Sequence, residues 1–201
     1  MVYILFLALV LAMLPVQSIV VQQELITNGS FENGLSGWTV TTKGNGEVVV
    51  TTERAYSGSH SARLRGGVYT LSRIEQSVEP VGSYIFNIAV YLKWIDYPYY
   101  GYPAAYIILY PGIEIRILPT QIKVNDKIIS YNARDHWFTI MIVGNGDTAD
   151  VYIDGEYKTT VSSTTVTAVR LETGQYTSGH YCDLYAYFDS ESLRIAENPP
   201  Q

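Results

Sequence analysis

The sequence predicts an all-β fold, a two-sheet antiparallel jelly-roll β-sandwich, and three observations carry that prediction. From Glu24 onward apolar and polar residues alternate with a period of two, as half-buried strands require. Turn-forming residues interrupt these runs at short intervals, the cadence of many short strands. After the N-terminal apolar run, no segment carries a sustained helical period.

Taken in chain order, strands fit Glu47–Glu53, Ser61–Arg65 and Tyr69–Val78. The next run is the clearest. Tyr84, Phe86, Ile88, Val90, Leu92 and Trp94 fall on one face, and Asn87, Ala89, Tyr91 and Lys93 on the other. The patch from Asp96 to Pro103 reads as a loop, because two prolines and a glycine punctuate it. Strands resume at Ala104–Tyr110 and Ile113–Leu118. Asn145-Gly146 and Asp154-Gly155 supply positive-φ residues, so Trp137–Val161 reads as a three-strand meander with Phe138, Ile140 and Ile142 on one face. Thr165–Glu172 and Asp183–Ile195 complete the set, and Trp38 and Trp94 read as core.

Composition narrows the function. A chain of 201 residues with 47% apolar and 16% charged residues forms a core without help from disulfides, and the one cysteine, Cys182, excludes a disulfide framework. A net charge of −6 and a pI near 5.0 argue against a nucleic-acid partner. Eighteen tyrosines suit half-buried sheets and adhesive surfaces.

Residues 1–18 read as a secretory signal peptide: an uncharged apolar run, Pro15 as a helix breaker, then Val16-Gln17-Ser18 before a mature start near Ile19 to Gln22. The alternative is an uncleaved anchor, the only membrane contact expected. Residues 24–196 read as one sandwich domain and 197–201 as a short tail, the whole secreted or displayed at the cell surface.

Motifs at both ends carry a resemblance. Thr27-Asn-Gly-Ser-Phe-Glu-Asn-Gly-Leu-Ser-Gly-Trp38, Ala55-Tyr-Ser-Gly-Ser-His-Ser-Ala-Arg-Leu64, Ile74–Val78, Gly82–Phe86, Asp135–Thr139 and Tyr187-Phe-Asp-Ser-Glu-Ser-Leu193 occur in order. Together they resemble extracellular carbohydrate-binding modules of the families 4 and 9 type, galactose-binding-like jelly rolls. That resemblance implies a glycan partner bound without cleavage, and a structural calcium ion near the termini. By position, Glu32 and Asp189 are the matching calcium ligands, with carbonyls near Ser30 and the Ser57-Gly58-Ser59 turn, although Ser190 replaces the family's second aspartate. The meander is also similar to laminin-G and concanavalin-like sandwiches.

Candidate glycan-binding residues follow from strand parity. Tyr91, Trp137 and Tyr152 lie off the core-facing parity, and Asn87, Arg170 and Glu172 share it on neighbouring strands; together they are expected on one concave face. Tyr97, Tyr99, Tyr100 and Tyr102 form a tyrosine loop fit to clamp a sugar or pack on a neighbouring subunit. Catalytic residues are not expected. Glu114-Ile-Arg116 is the nearest approach to a same-face acidic pair and its second member is basic, while His60, His136 and His180 are scattered. Two other classes stand beside the binding module. One is a surface or filament subunit that donates the segment Ile19–Leu25 as a strand. The other is a glycoside hydrolase on a concanavalin-like sandwich.

Overall fold

The computed structural model describes residues 23–67, 69–94, 104–174 and 184–196; Trp94 is described in its backbone only. The signal segment, the tyrosine loop, His180, Cys182 and the tail lie outside the described residues, as does the core reading of the Trp94 side chain.

Two seven-stranded antiparallel sheets face each other. The first runs β1 (Thr39–Lys43), β4 (Leu71–Val81), β13 (Val166–Gly174), β6 (Ala104–Tyr110), β7 (Ile113–Leu118), β8 (Gln121–Val124) and β9 (Lys127–Ser130). The second runs β12 (Glu156–Ser162), β11 (Thr148–Ile153), β10 (Trp137–Asn145), β5 (Ser83–Trp94), β14 (Leu184–Ile195), β3 (Ser61–Gly66) and β2 (Glu47–Thr51). The long strand read from the sequence is β5, between β10 and β14 in the second sheet. Its predicted inner face is buried at Tyr84, Phe86, Ile88, Val90 and Leu92, and Phe138, Ile140 and Ile142 oppose it from β10. In the meander, Gly146, Asp154 and Gly155 adopt positive φ as the turns demand.

Three strands escaped the sequence pattern: β1, β8 and β9. β1 and β9 are edge strands with little buried surface, and Ile128 of β9 is 64% exposed. Backbone pairing to β4 and β8 holds them, and such pairing leaves no apolar alternation to read.

The Thr27–Trp38 motif closes one end of the core. Asn28, Phe31, Gly34 and Gly37 all take positive φ, which lets a short segment fold back on itself. Asn28 holds that shape: its Nδ2 donates to the carbonyls of Gly34 and Ser36, and its Oδ1 accepts from Asn33 N. Phe31 is then fully buried, with the Trp38 ring 5.6 Å away, and Trp38 Nε1 donates to the Asn28 carbonyl. Just before the motif, Leu25 N donates to Leu193 O at 2.8 Å, and Ile195 N to Gln23 O at 3.2 Å. The last residues of the segment considered for donation therefore already pair with β14 of their own chain.

Candidate functional site

On the outward face of the second sheet, cross-strand register places Trp137 beside Tyr91, Met141 beside both Asn87 and Tyr152, and Tyr187 beside Tyr91. Asn87, Tyr91, Trp137 and Tyr152 therefore share one face, as parity requires. The β2–β3 loop folds across it. Arg54 lies over Tyr91, its guanidinium carbon 4.3 Å from the ring centroid, and Tyr187 donates its hydroxyl to Glu53 at 2.9 Å. Tyr91 meets Trp137 and Tyr187 edge to face at 5.7 and 5.8 Å. Tyr91 is thereby left 7% exposed. It is the packed centre of an aromatic cluster, and its ring is covered against a sugar. Tyr56, from the same loop, packs its ring 5.7 Å from Trp137 and stays 49% exposed. Between this loop and the meander lies a cavity of about 310 Å³ lined by Tyr56, Asn87, Ala89, Thr139, Met141 and Ser190.

Carboxylates hold the loop in place. Asp189 Oδ2 accepts from the backbone N–H groups of Tyr56 and Ser57 at 2.7 and 2.9 Å. Glu32 Oε1 accepts from those of Ser59 and His60 at 2.7 and 2.9 Å, and Glu32 Oε2 lies 2.8 Å from His60 Nδ1. Ser57 and Ser190 hydroxyls meet at 2.6 Å. Gly58 takes φ +61°, a backbone conformation that side-chain-bearing residues rarely adopt, and a Cβ there would press on the Glu32 carboxylate. The His60 bond, followed by the two N–H donors, pulls the Glu32 carboxyl down to about 2. Burial is the larger influence on Asp189 and raises its carboxyl above the usual range against three N–H donors.

The fold brings Glu32, Asp189 and the Ser57–Ser59 turn together. The donors that converge on these carboxylates are N–H groups, whereas a calcium cage is built of oxygens. Among the described residues, no three His, Cys, Asp or Glu side chains group as a metal site. Glu191 is a buried acid that the sequence reading did not single out. It shares the inward parity of buried Leu193, is 5% exposed, and neither carboxylate oxygen has a hydrogen-bond partner among the described residues. Burial, with Glu24 nearby, pushes its carboxyl well above the ordinary range. Its backbone N–H donates to Gly29 O at 3.0 Å, so it stands against the opening motif.

Arg170 and Glu172 are a correction. Their strand, β13, belongs to the first sheet, so they occupy the outward face opposite to Tyr91 and Trp137. Parity establishes that a residue faces outward, but not from which sheet. There they pair across strands, Arg170 Nε with Glu75 at 2.6 Å and Arg73 Nε with Glu172 at 2.8 Å.

Tyr56 and Arg54 were also missed as site residues. Both lie in or beside a motif the sequence displays, but their role depends on a loop crossing three strands, which local spacing does not encode.

No protein-family model matches the chain, and no curated protein matches it in sequence. Solved structures do resemble it in fold. An endo-β-1,4-glucuronan lyase from the fungus Trichoderma reesei superposes with a TM-score of 0.58 at 13% identity, over 81% of this chain and 92% of that one. Cellulose induced protein Cip1 gives 0.58 at 14% identity, covering 86% and 98%. A Bacillus licheniformis β-glucanase gives 0.56 at 15% identity, covering 88% and 98%. The chain shares its sandwich fold with these glycan-related proteins.

Proposed function

We propose that this protein is a secreted, non-catalytic glycan-binding protein, and that the sugar seats in the groove beside Tyr56. One observation carries the reading: a half-exposed tyrosine ring, backed by Trp137, walls a cavity of about 310 Å³ that also offers Asn87, Thr139 and Ser190. A pyranose presents an apolar C–H face and a rim of hydroxyls, and this lining offers a ring for the first and amide and hydroxyl groups for the second. The likeness to families 4 and 9 modules in the opening and closing motifs supports the same class. Export rests on the apolar leader, and N-terminal sequencing of exported protein tests it.

The structural calcium belongs to this proposal with Glu191 as its acidic ligand and backbone carbonyls as the remainder of the shell. Bound there, the ion supplies charge neutralisation and no step of chemistry. Glu191 would then tie β14 to the turn that opens the domain.

Affinity electrophoresis of the purified protein through a panel of soluble polysaccharides tests the binding reading. Retention by one glycan, relieved by its free oligosaccharide and lost in Tyr56→Ala and Trp137→Ala, is the expected result. Migration unaffected by every glycan, or retention unchanged in both variants, overturns it.

A further inference from the structure

The outward face of the first sheet is built differently from the aromatic face. Register sets Arg73, Glu172, Tyr106, Arg116 and Lys123 side by side in one transverse row across β4, β13, β6, β7 and β8. At one end of the row the charges are satisfied, Arg73 by Glu172; one step along the strands Arg170 is satisfied by Glu75. At the other end they are not. Neither Arg116 nor Lys123 enters an ion pair among the described residues. Arg116 Nε is shielded from solvent and has no hydrogen-bond partner, and its guanidinium carbon lies 5.8 Å from the centroid of the half-buried Tyr106 ring. Glu114 stands one register step away, exposed, and pairs with neither cation.

Two adjacent cations with no counter-charge among the described residues, one of them a guanidinium beside the Tyr106 ring, form a seat for an anion. The arginine fork matches the two oxygens of a carboxylate, and the neighbouring ring offers a flat apolar surface beside it. We propose that Arg116, Lys123 and Tyr106 form a second glycan site that takes the carboxylate of a uronic-acid residue. This inference shares the glycan premise of the groove reading but stands on the opposite face, so the two fail separately.

The test is calorimetric titration of the full protein with trigalacturonate, with galactotriose as the neutral control. Trigalacturonate is expected to bind, galactotriose not to compete for it, and affinity to weaken as salt rises from about 50 to about 300 mM. Arg116→Gln is expected to weaken binding about tenfold or more, the loss of a charge-assisted pair of bonds, and Lys123→Gln by a smaller factor. Tyr56→Ala is expected to leave it unchanged, and a thermal melt of Arg116→Gln matching the parent excludes unfolding as the cause. Equal affinity in Arg116→Gln and the parent, no heat with trigalacturonate, or displacement by sodium sulfate at equal concentration would each overturn the proposal.

Discussion

The Arg54 guanidinium covers the Tyr91 ring at 4.3 Å, so the tyrosine that strand parity marks as a sugar platform is instead a packing element. Tyr91→Ala is expected to destabilise the fold by about 3–5 kcal/mol, as loss of a buried aromatic does. Tyr56→Ala, at a half-exposed position, is expected to stay within about 0.5 kcal/mol of the parent. Urea unfolding of the two variants checks both values, and a stable Tyr91→Ala protein would show that the ring is not buried as described.

Gly144 faces Tyr84 directly across β10 and β5. A Cβ on Gly144 would lie 2.4 Å from the Tyr84 ring, which is fully buried and hydrogen-bonded through its hydroxyl to Ser163 at 3.0 Å. The ring is thus held at both ends and has no route of retreat. Gly144→Ala is expected to cost about 1–3 kcal/mol by overpacking. Adding Tyr84→Leu is expected to return part of that loss, measured as the coupling in a double-mutant cycle.

Acid should loosen the β2–β3 loop through Glu32. Its carboxyl is held near 2 in the folded protein against an ordinary value of 4.5, so its stabilising contribution is present above about 4.5 and is lost as pH falls toward 2. Melting curves of the parent and Glu32→Gln should differ most near pH 5 and converge as pH approaches 2. A constant difference across that range would disconnect Glu32 from the effect.

Glu191 carries the opposite sign. A carboxyl raised in the folded state contributes fully below its unfolded value, and stability falls as pH rises from there toward the folded value. In chelator, the melting temperature is expected to decline from pH 5 to pH 8. Calcium added at pH 8 is expected to restore it, and Glu191→Gln to show neither response. A calcium effect that survives in Glu191→Gln would move the ion elsewhere.

The sandwich was legible because alternation is a property of neighbouring residues. Phe86, Ile88 and Val90 announce their common face in the sequence itself. The pairing of Glu32 and Asp189 with one turn was legible through motif positions, though not the donors each carboxylate would find. Which sheet β13 joins was not legible, because Arg170 and Glu172 read as outward under either assignment. Nor was the covering of Tyr91, which depends on Arg54 arriving from 37 residues upstream. Glu191 was hidden by the bulge near Ser190, at φ +53°, which shifts the register between Asp189 and Ser192 and turns an acid inward.

The pairing of residues 23–25 with β14 also sets how the domain answers tension. The two segments run antiparallel with Gln23 beside Ile195, so within this seam a pull between the chain's two ends, once past the Ala196–Ser83 bond, loads the Gln23–Ile195 bond before the Leu25–Leu193 bond. Force would peel this seam one bond at a time instead of shearing it as a block, making it the mechanically soft margin of an otherwise broadly paired sandwich.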